Sequence, residues 1–211
     1  VATVTTRRRS YTTLLGVAGL DAGRRLLLAH CLRAAACIVG AALVSGASAR
    51  ADETQDLEIR VKAAFLCKFA GYVEWPPGSF SQAETPVTIA VVGAEPLAAE
   101  LSRMVVGRTV GGRALEMKRM RTGELPAGIH ILFVGRDDAA QLSRIAGDAK
   151  PHAVLTVTDS EGALEQGSMI NFVLDDRRVR FDIALDTAAR SGLRLSSRLL
   201  AVARDVRTEG R

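Results

Sequence analysis

Three short runs rich in β-branched residues constrain the fold more than any other feature of the chain. They are Val87-Thr88-Ile89-Ala90-Val91-Val92-Gly93, Ile129-His130-Ile131-Leu132-Phe133-Val134-Gly135 and Ala153-Val154-Leu155-Thr156-Val157-Thr158-Asp159. Near-continuous apolar character over so short a length marks strands buried on both faces. Helix-periodic segments separate them: Pro96 to about Val105, with Pro in its first turn, and Asp137 to Asp148, with acids where the helix dipole favours them. Gly107 to Gly112 reads as a turn, followed by a strand of period-two polarity over Ala114–Met120. A β-α-β-α-β order predicts an α/β three-layer sandwich, its mostly parallel sheet flanked by helices.

Both ends of this region depart from that rhythm. Leu57, Val61, Ala64, Phe65, Phe69, Tyr72 and Val73 recur at three- and four-residue steps and predict a long N-terminal amphipathic helix over roughly 56–74, stopped by Trp75-Pro76-Pro77-Gly78. Ser168–Leu174 and Val179–Leu185 are strands joined by Asp175-Asp176-Arg177-Arg178, short enough for a hairpin, which would make the sheet mixed with an antiparallel edge. Two short helices, over 185–190 and 196–204, are expected around Gly192.

The first quarter has a different composition. Six arginines between Arg7 and Arg33 lead into the eleven-residue apolar stretch Ala34–Val44 and then Ser45-Gly46-Ala47-Ser48-Ala49-Arg50-Ala51. A basic region, a short apolar region and a small-residue A-x-A site are the parts of a secretory signal peptide, and the apolar stretch is short of the about 20 residues that span a bilayer. Residues 1–51 are therefore read as an N-terminal extension and signal peptide, cleaved after Ala49 or Ala51, and 52–211 as one exported domain. Of the 28 Lys and Arg, seven lie in residues 1–51 with only one of the 23 acids, so the basic balance belongs to the leader. The domain itself is near neutral and carries no basic stripe of the kind nucleic-acid binding needs. Cys31 and Cys37 also fall in the leader, leaving Cys67 without a partner for an internal disulfide.

Catalytic and metal-binding patterns are missing from 52–211. His130 and His152 stand apart with no ligand spacing, and His130, inside an apolar strand, reads as a satisfied core histidine. The first strand runs into Gly93-Ala94-Glu95-Pro96 rather than a glycine-rich phosphate cradle, and no G-x-S-x-G is present. The expectation is a non-enzyme with no metal and no cofactor. Two features stand out. Arg194-Leu195-Ser196-Ser197-Arg198 sets a hydroxyl cap between two guanidinium groups at a helix start, read either as solvated flanks of an N-cap or as a seat for an anion. Asn171, inside Met169-Ile170-Asn171-Phe172-Val173, is either a structural tether or a polar point at an edge.

Lys62-Ala63-Ala64-Phe65-Leu66, Tyr72-Val73-Glu74-Trp75-Pro76, Ile131-Leu132-Phe133, Val154-Leu155-Thr156-Val157, Met169-Ile170-Asn171-Phe172-Val173, Val179-Arg180-Phe181-Asp182-Ile183 and Leu193-Arg194-Leu195-Ser196-Ser197-Arg198-Leu199-Leu200, in this order, resemble the YfiR family. The resemblance implies a periplasmic α/β protein, usually a homodimer, that represses an inner-membrane diguanylate cyclase by binding its periplasmic portion and so lowers cyclic di-GMP and biofilm formation. Some members carry disulfide-forming cysteine pairs; here Cys67 is alone outside the leader. Trp75, Arg194, Ser196, Arg198 and Asn171 are the expected partner- or ligand-binding residues, since Trp and Arg dominate binding hot spots. The alternative is a small-ligand sensing or carrier domain with an anion site at Arg194–Arg198.

Overall fold

The computed structural model describes residues 53–121 and 127–208; the signal-peptide reading of 1–51 lies outside them. The chain is helical over 53–69 (α1) and continues into β1 (Val73–Glu74), β2 (Val87–Val92), α2 (Glu95–Met104), β3 (Thr109–Val110), β4 (Arg113–Arg119) and β5 (Ile131–Val134). A 3-10 turn over Arg136–Gln141 leads into α3 (Leu142–Ala149), then β6 (Leu155–Thr158), β7 (Ile170–Asp175), β8 (Arg178–Ala184), α4 (Leu185–Arg190), β9 (Arg194–Leu195), α5 (Ser197–Leu200) and β10 (Asp205–Arg207).

Eight strands form one sheet in the order β10-β8-β7-β6-β5-β2-β4-β3. The run β4-β2-β5-β6-β7 is parallel throughout, and β7 turns back into β8 as an antiparallel pair with Phe172 opposite Phe181. The parallel portion starts in its middle and winds outward both ways, the arrangement of a doubly wound sheet. The period-two pleat sorts the side chains. Ile89, Val91, Ile131, Phe133, Leu155, Val157, Phe172 and Phe181 pack with Ala63, Leu66 and Phe69 of α1 and Leu97 and Leu101 of α2. Ala90, Val92, Leu132 and Val134 face Leu142, Ile145, Ala146 and Ala149 of α3 on the other side. Phe69 is the centre of the first layer, with ring centroids 5.9, 5.8 and 5.2 Å from those of Phe65, Phe172 and Phe181.

Between β2 and β5 the two carboxyl-end loops meet. The Gly135 N–H donates to the Val92 carbonyl at 2.8 Å, and a Cβ on Gly135 would stand 2.0 Å from the Gly93 carbonyl oxygen. Gly93, at φ +65°, is in turn covered by Asp138. Only glycine fits at both places.

The ends of the fold differ from the sequence reading in four respects. Helix α1 stops at residue 69 instead of 74, because Val73 and Glu74 pair as a strand. The turn expected over 107–112 contains β3, which folds antiparallel onto β4. The helix expected over 196–204 is the single turn Ser197–Leu200, since Asp205–Arg207 is drawn off as β10, parallel to β8. The β7–β8 hairpin is therefore not a sheet edge. Its tight link holds Asp176 and Arg177 at φ +46° and +59°, the mirror-image turn that suits strand twist.

Candidate functional site

Where α1 ends, its chain is stitched to the C-terminal segment. Strand β1 pairs antiparallel with β9, Val73 opposite Leu195 and Glu74 opposite Arg194, and the Ser196 N–H donates to the Tyr72 carbonyl at 2.9 Å. At Gly192, with φ +76°, a Cβ would stand 3.5 Å from Cγ of the Pro76 ring. This two-stranded ribbon brings together four of the five expected residues, Trp75, Arg194, Ser196 and Arg198, from segments about 120 positions apart in sequence.

Each of the four has a defined setting. Arg194 is 84% exposed in its side chain and stands 3.6 Å from the Glu74 carboxylate. Ser196 is the N-cap of α5, its hydroxyl accepting from the Leu199 N–H at 3.4 Å. Arg198 is exposed on the first turn. With α5 one turn long and the Ser196 hydroxyl already used, the helix dipole available to an anion there is small. Trp75 is half-buried, edge-on to Phe80 and His130 at 5.9 Å, and its indole Nε1 has no hydrogen-bond partner among the described residues.

Asn171 is not part of this ribbon. It is buried on the opposite face of the sheet, where its Oδ1 accepts from the Thr158 hydroxyl at 2.8 Å, next to the Ser168 hydroxyl, which donates to the Ile170 carbonyl. Of its two readings the structure selects the tether, since a buried carboxamide needs such a partner.

Two further polar settings carry no strong sequence signal. Lys62 is buried on α1, with Nζ 2.5 Å from Glu58 and 2.7 Å from Asp159, and so ties the helix to the carboxyl end of β6. The ammonium serves both carboxylates, so removing it, rather than either acid alone, would leave charge uncompensated there. His130, 2% exposed, accepts from the Thr88 N–H at Nδ1 and lies 3.1 Å from the Ser79 carbonyl at Nε2. Burial, with help from Arg113 and Lys118, pulls this imidazole below the ordinary histidine value against the opposing pull of the Ser79 carbonyl. Burial likewise pushes the Cys67 thiol up, with Arg108 opposing.

The model of the YfiR/HmsC-like family matches residues 59–204. Among solved structures, an ABC domain in complex with L-Trp from Streptococcus pneumoniae is similar at a TM-score of 0.45 and 10% identity, over 57% of this chain and 55% of that one. A conserved domain protein from Vibrio cholerae is similar at a TM-score of 0.44 and 13% identity, over 57% of this chain and 54% of that one. This chain spans about half the length of each, and at that similarity neither bears on what it does.

Proposed function

This chain belongs to the YfiR/HmsC-like family, and from that membership we propose that it is a periplasmic regulatory binding protein that represses an inner-membrane diguanylate cyclase through protein–protein contact. The family match over residues 59–204 carries this reading and supports a regulatory part in cyclic di-GMP signalling, by binding rather than by catalysis. Residues 1–51 serve as the export leader, and 52–211 form the working domain. No helix among the described residues is long and apolar enough to cross a membrane, which is consistent with action on a partner anchored there. The β1–β9 ribbon supplies the contact surface, with Arg194 and Arg198 exposed and Trp75 following Glu74 of β1. Arginine fits such a role because it pairs directed hydrogen bonds with a large contact area. The working unit is a homodimer.

The test is to capture the tagged protein from envelope membranes, identify what comes with it, and measure cyclic di-GMP in cells with and without the gene. Co-purification of a membrane-bound diguanylate cyclase and a rise in cyclic di-GMP on deletion are the expected results. Unchanged cyclic di-GMP on deletion would remove the reading.

A further inference from the structure

Residues 76–86, between β1 and β2, contain no strand or helix, and two side chains from the sheet region hold them down. Arg113, at the start of β4, donates through Nη1 to the carbonyls of Gln82 and Thr85, each at 2.9 Å, and lies over the Phe80 ring at 4.0 Å. His130, just ahead of β5, holds the other end. Because the Thr88 N–H points at Nδ1, at 3.2 Å, the ring hydrogen is on Nε2 and is donated to the Ser79 carbonyl. The imidazole also stacks on Phe80, with centroids 4.3 Å apart and planes 13° apart, and meets the Trp75 ring edge-on.

We propose that His130 is a proton-released latch: when Nδ1 takes a proton, the segment 76–86 leaves the sheet and uncovers Trp75. Protonation turns the Thr88 bond into two donors facing each other. The Thr88 amide cannot turn aside, because it belongs to β2, in the middle of the sheet. The charges that act on the ring, Arg113 and Lys118 of β4, are both cations; the 76–86 segment faces it with the Ser79 carbonyl and the Phe80 ring, and Trp75, just ahead of the segment, with its ring edge. Phe80 offers a π face to the cation, but Arg113 already lies over that ring. The bond from Nε2 to Ser79 survives protonation. The cation therefore finds water by moving outward together with Ser79 and Phe80, which is the opening motion.

A closed form that resists the proton and an open form that takes it at the ordinary value of about 6.5 make opening proton-linked, the open-to-closed ratio rising by up to about tenfold per pH unit as pH falls from that value toward the closed form's own. That this release would govern partner binding rests on the reading of Trp75 as part of the contact surface. The release itself does not, and it is tested without a partner.

Trp75 is the one tryptophan of the chain, so its emission reports on the segment directly. Between pH 7.5 and 5.5 the wild-type protein should show a reversible red shift and a rise, up to about tenfold, in the opening ratio read by acrylamide quenching. His152→Gln, which removes the other histidine of the described residues, should titrate like wild type. His130→Asn, which keeps an acceptor for Thr88 and does not titrate, should stay flat; a wild-type-like titration in that variant overturns the latch. Should His130→Asn fail to fold, amide exchange of the wild-type protein decides, after correction for intrinsic rates. Acceleration confined to residues 76–86 at pH 5.5 supports the latch, and unchanged exchange there, or equal acceleration across the whole sheet, overturns it.

Discussion

The Asp182 carboxylate takes both arms of the Arg204 guanidinium, Nε at 2.8 Å and Nη2 at 2.5 Å. The partners are unequally placed, with 4% of the Asp182 side chain exposed against 41% for Arg204. Removing the arginine strands a buried carboxylate, whereas neutralising the acid leaves a guanidinium that water can reach. Arg204→Ala should therefore cost about 1–3 kcal/mol and Asp182→Asn about 1 kcal/mol in urea unfolding. The reverse order would show that the pair does not hold β10 in this way.

His130 makes global stability depend on pH with a definite sign. Its folded value is lowered, chiefly by burial, so the unfolded chain binds the proton more readily. Its contribution is complete above the unfolded value of about 6.5 and is lost as pH falls from there through the folded value. Urea midpoints should fall from pH 8 to pH 5 in wild type and fall less in His130→Asn.

Cys67 lies in the core, and burial raises its thiol, so little thiolate is available at neutral pH. In a chain starting at Asp52, native Cys67 should react with a disulfide reagent at least tenfold more slowly than in urea, an order-of-magnitude expectation from its burial. Cys67→Ser should be less stable than Cys67→Ala, because a buried hydroxyl without a partner adds a desolvation cost. Fast native labelling would place the thiol at the surface.

Gly135→Ala would drive a methyl group into the Gly93 carbonyl oxygen. Both glycines directly follow central strands, so relief requires moving the ends of β2 and β5 apart, and a loss of more than about 2 kcal/mol is expected in thermal or urea unfolding. Gly147→Ala, with nothing within 4 Å of the new methyl, is the control and should be neutral or stabilising.

Arg194→Ala with Arg198→Ala should leave stability within about 0.5 kcal/mol, since both side chains are exposed. Repression in cells, read as cyclic di-GMP, should weaken. A folded double variant that represses at the wild-type level would remove both residues from the contact surface.

The central strands were legible because burial on both faces writes itself into the sequence as unbroken apolar runs, as in Val87–Val92 and Leu155–Thr158. The hairpin was legible from its four charged residues, though not the mirror-image turn within it. What the sequence withheld were pairings of two or three residues. Neither Val73–Glu74 nor Arg194–Leu195 has enough length for a period, and each is a strand only because the other is beside it. The same holds for β10, whose polar Asp205-Val206-Arg207 gives no strand signal and is fixed by its alignment with Asp182–Ala184. The ribbon that gathers Trp75, Arg194, Ser196 and Arg198 is thus a tertiary product. Its individual residues could be singled out beforehand, but their closeness could not.

The backbone contact between Gly93 and Gly135 also bears on what this architecture can hold. In open doubly wound sheets the crevice at the point where winding changes direction is the usual seat for a nucleotide. Here that crevice lies between β2 and β5, and the chain has filled it with its own peptide groups, too close even for a methyl. At that point the sheet is closed, and under the proposed reading recognition falls to the periphery, where α1 hands over to the β1–β9 ribbon.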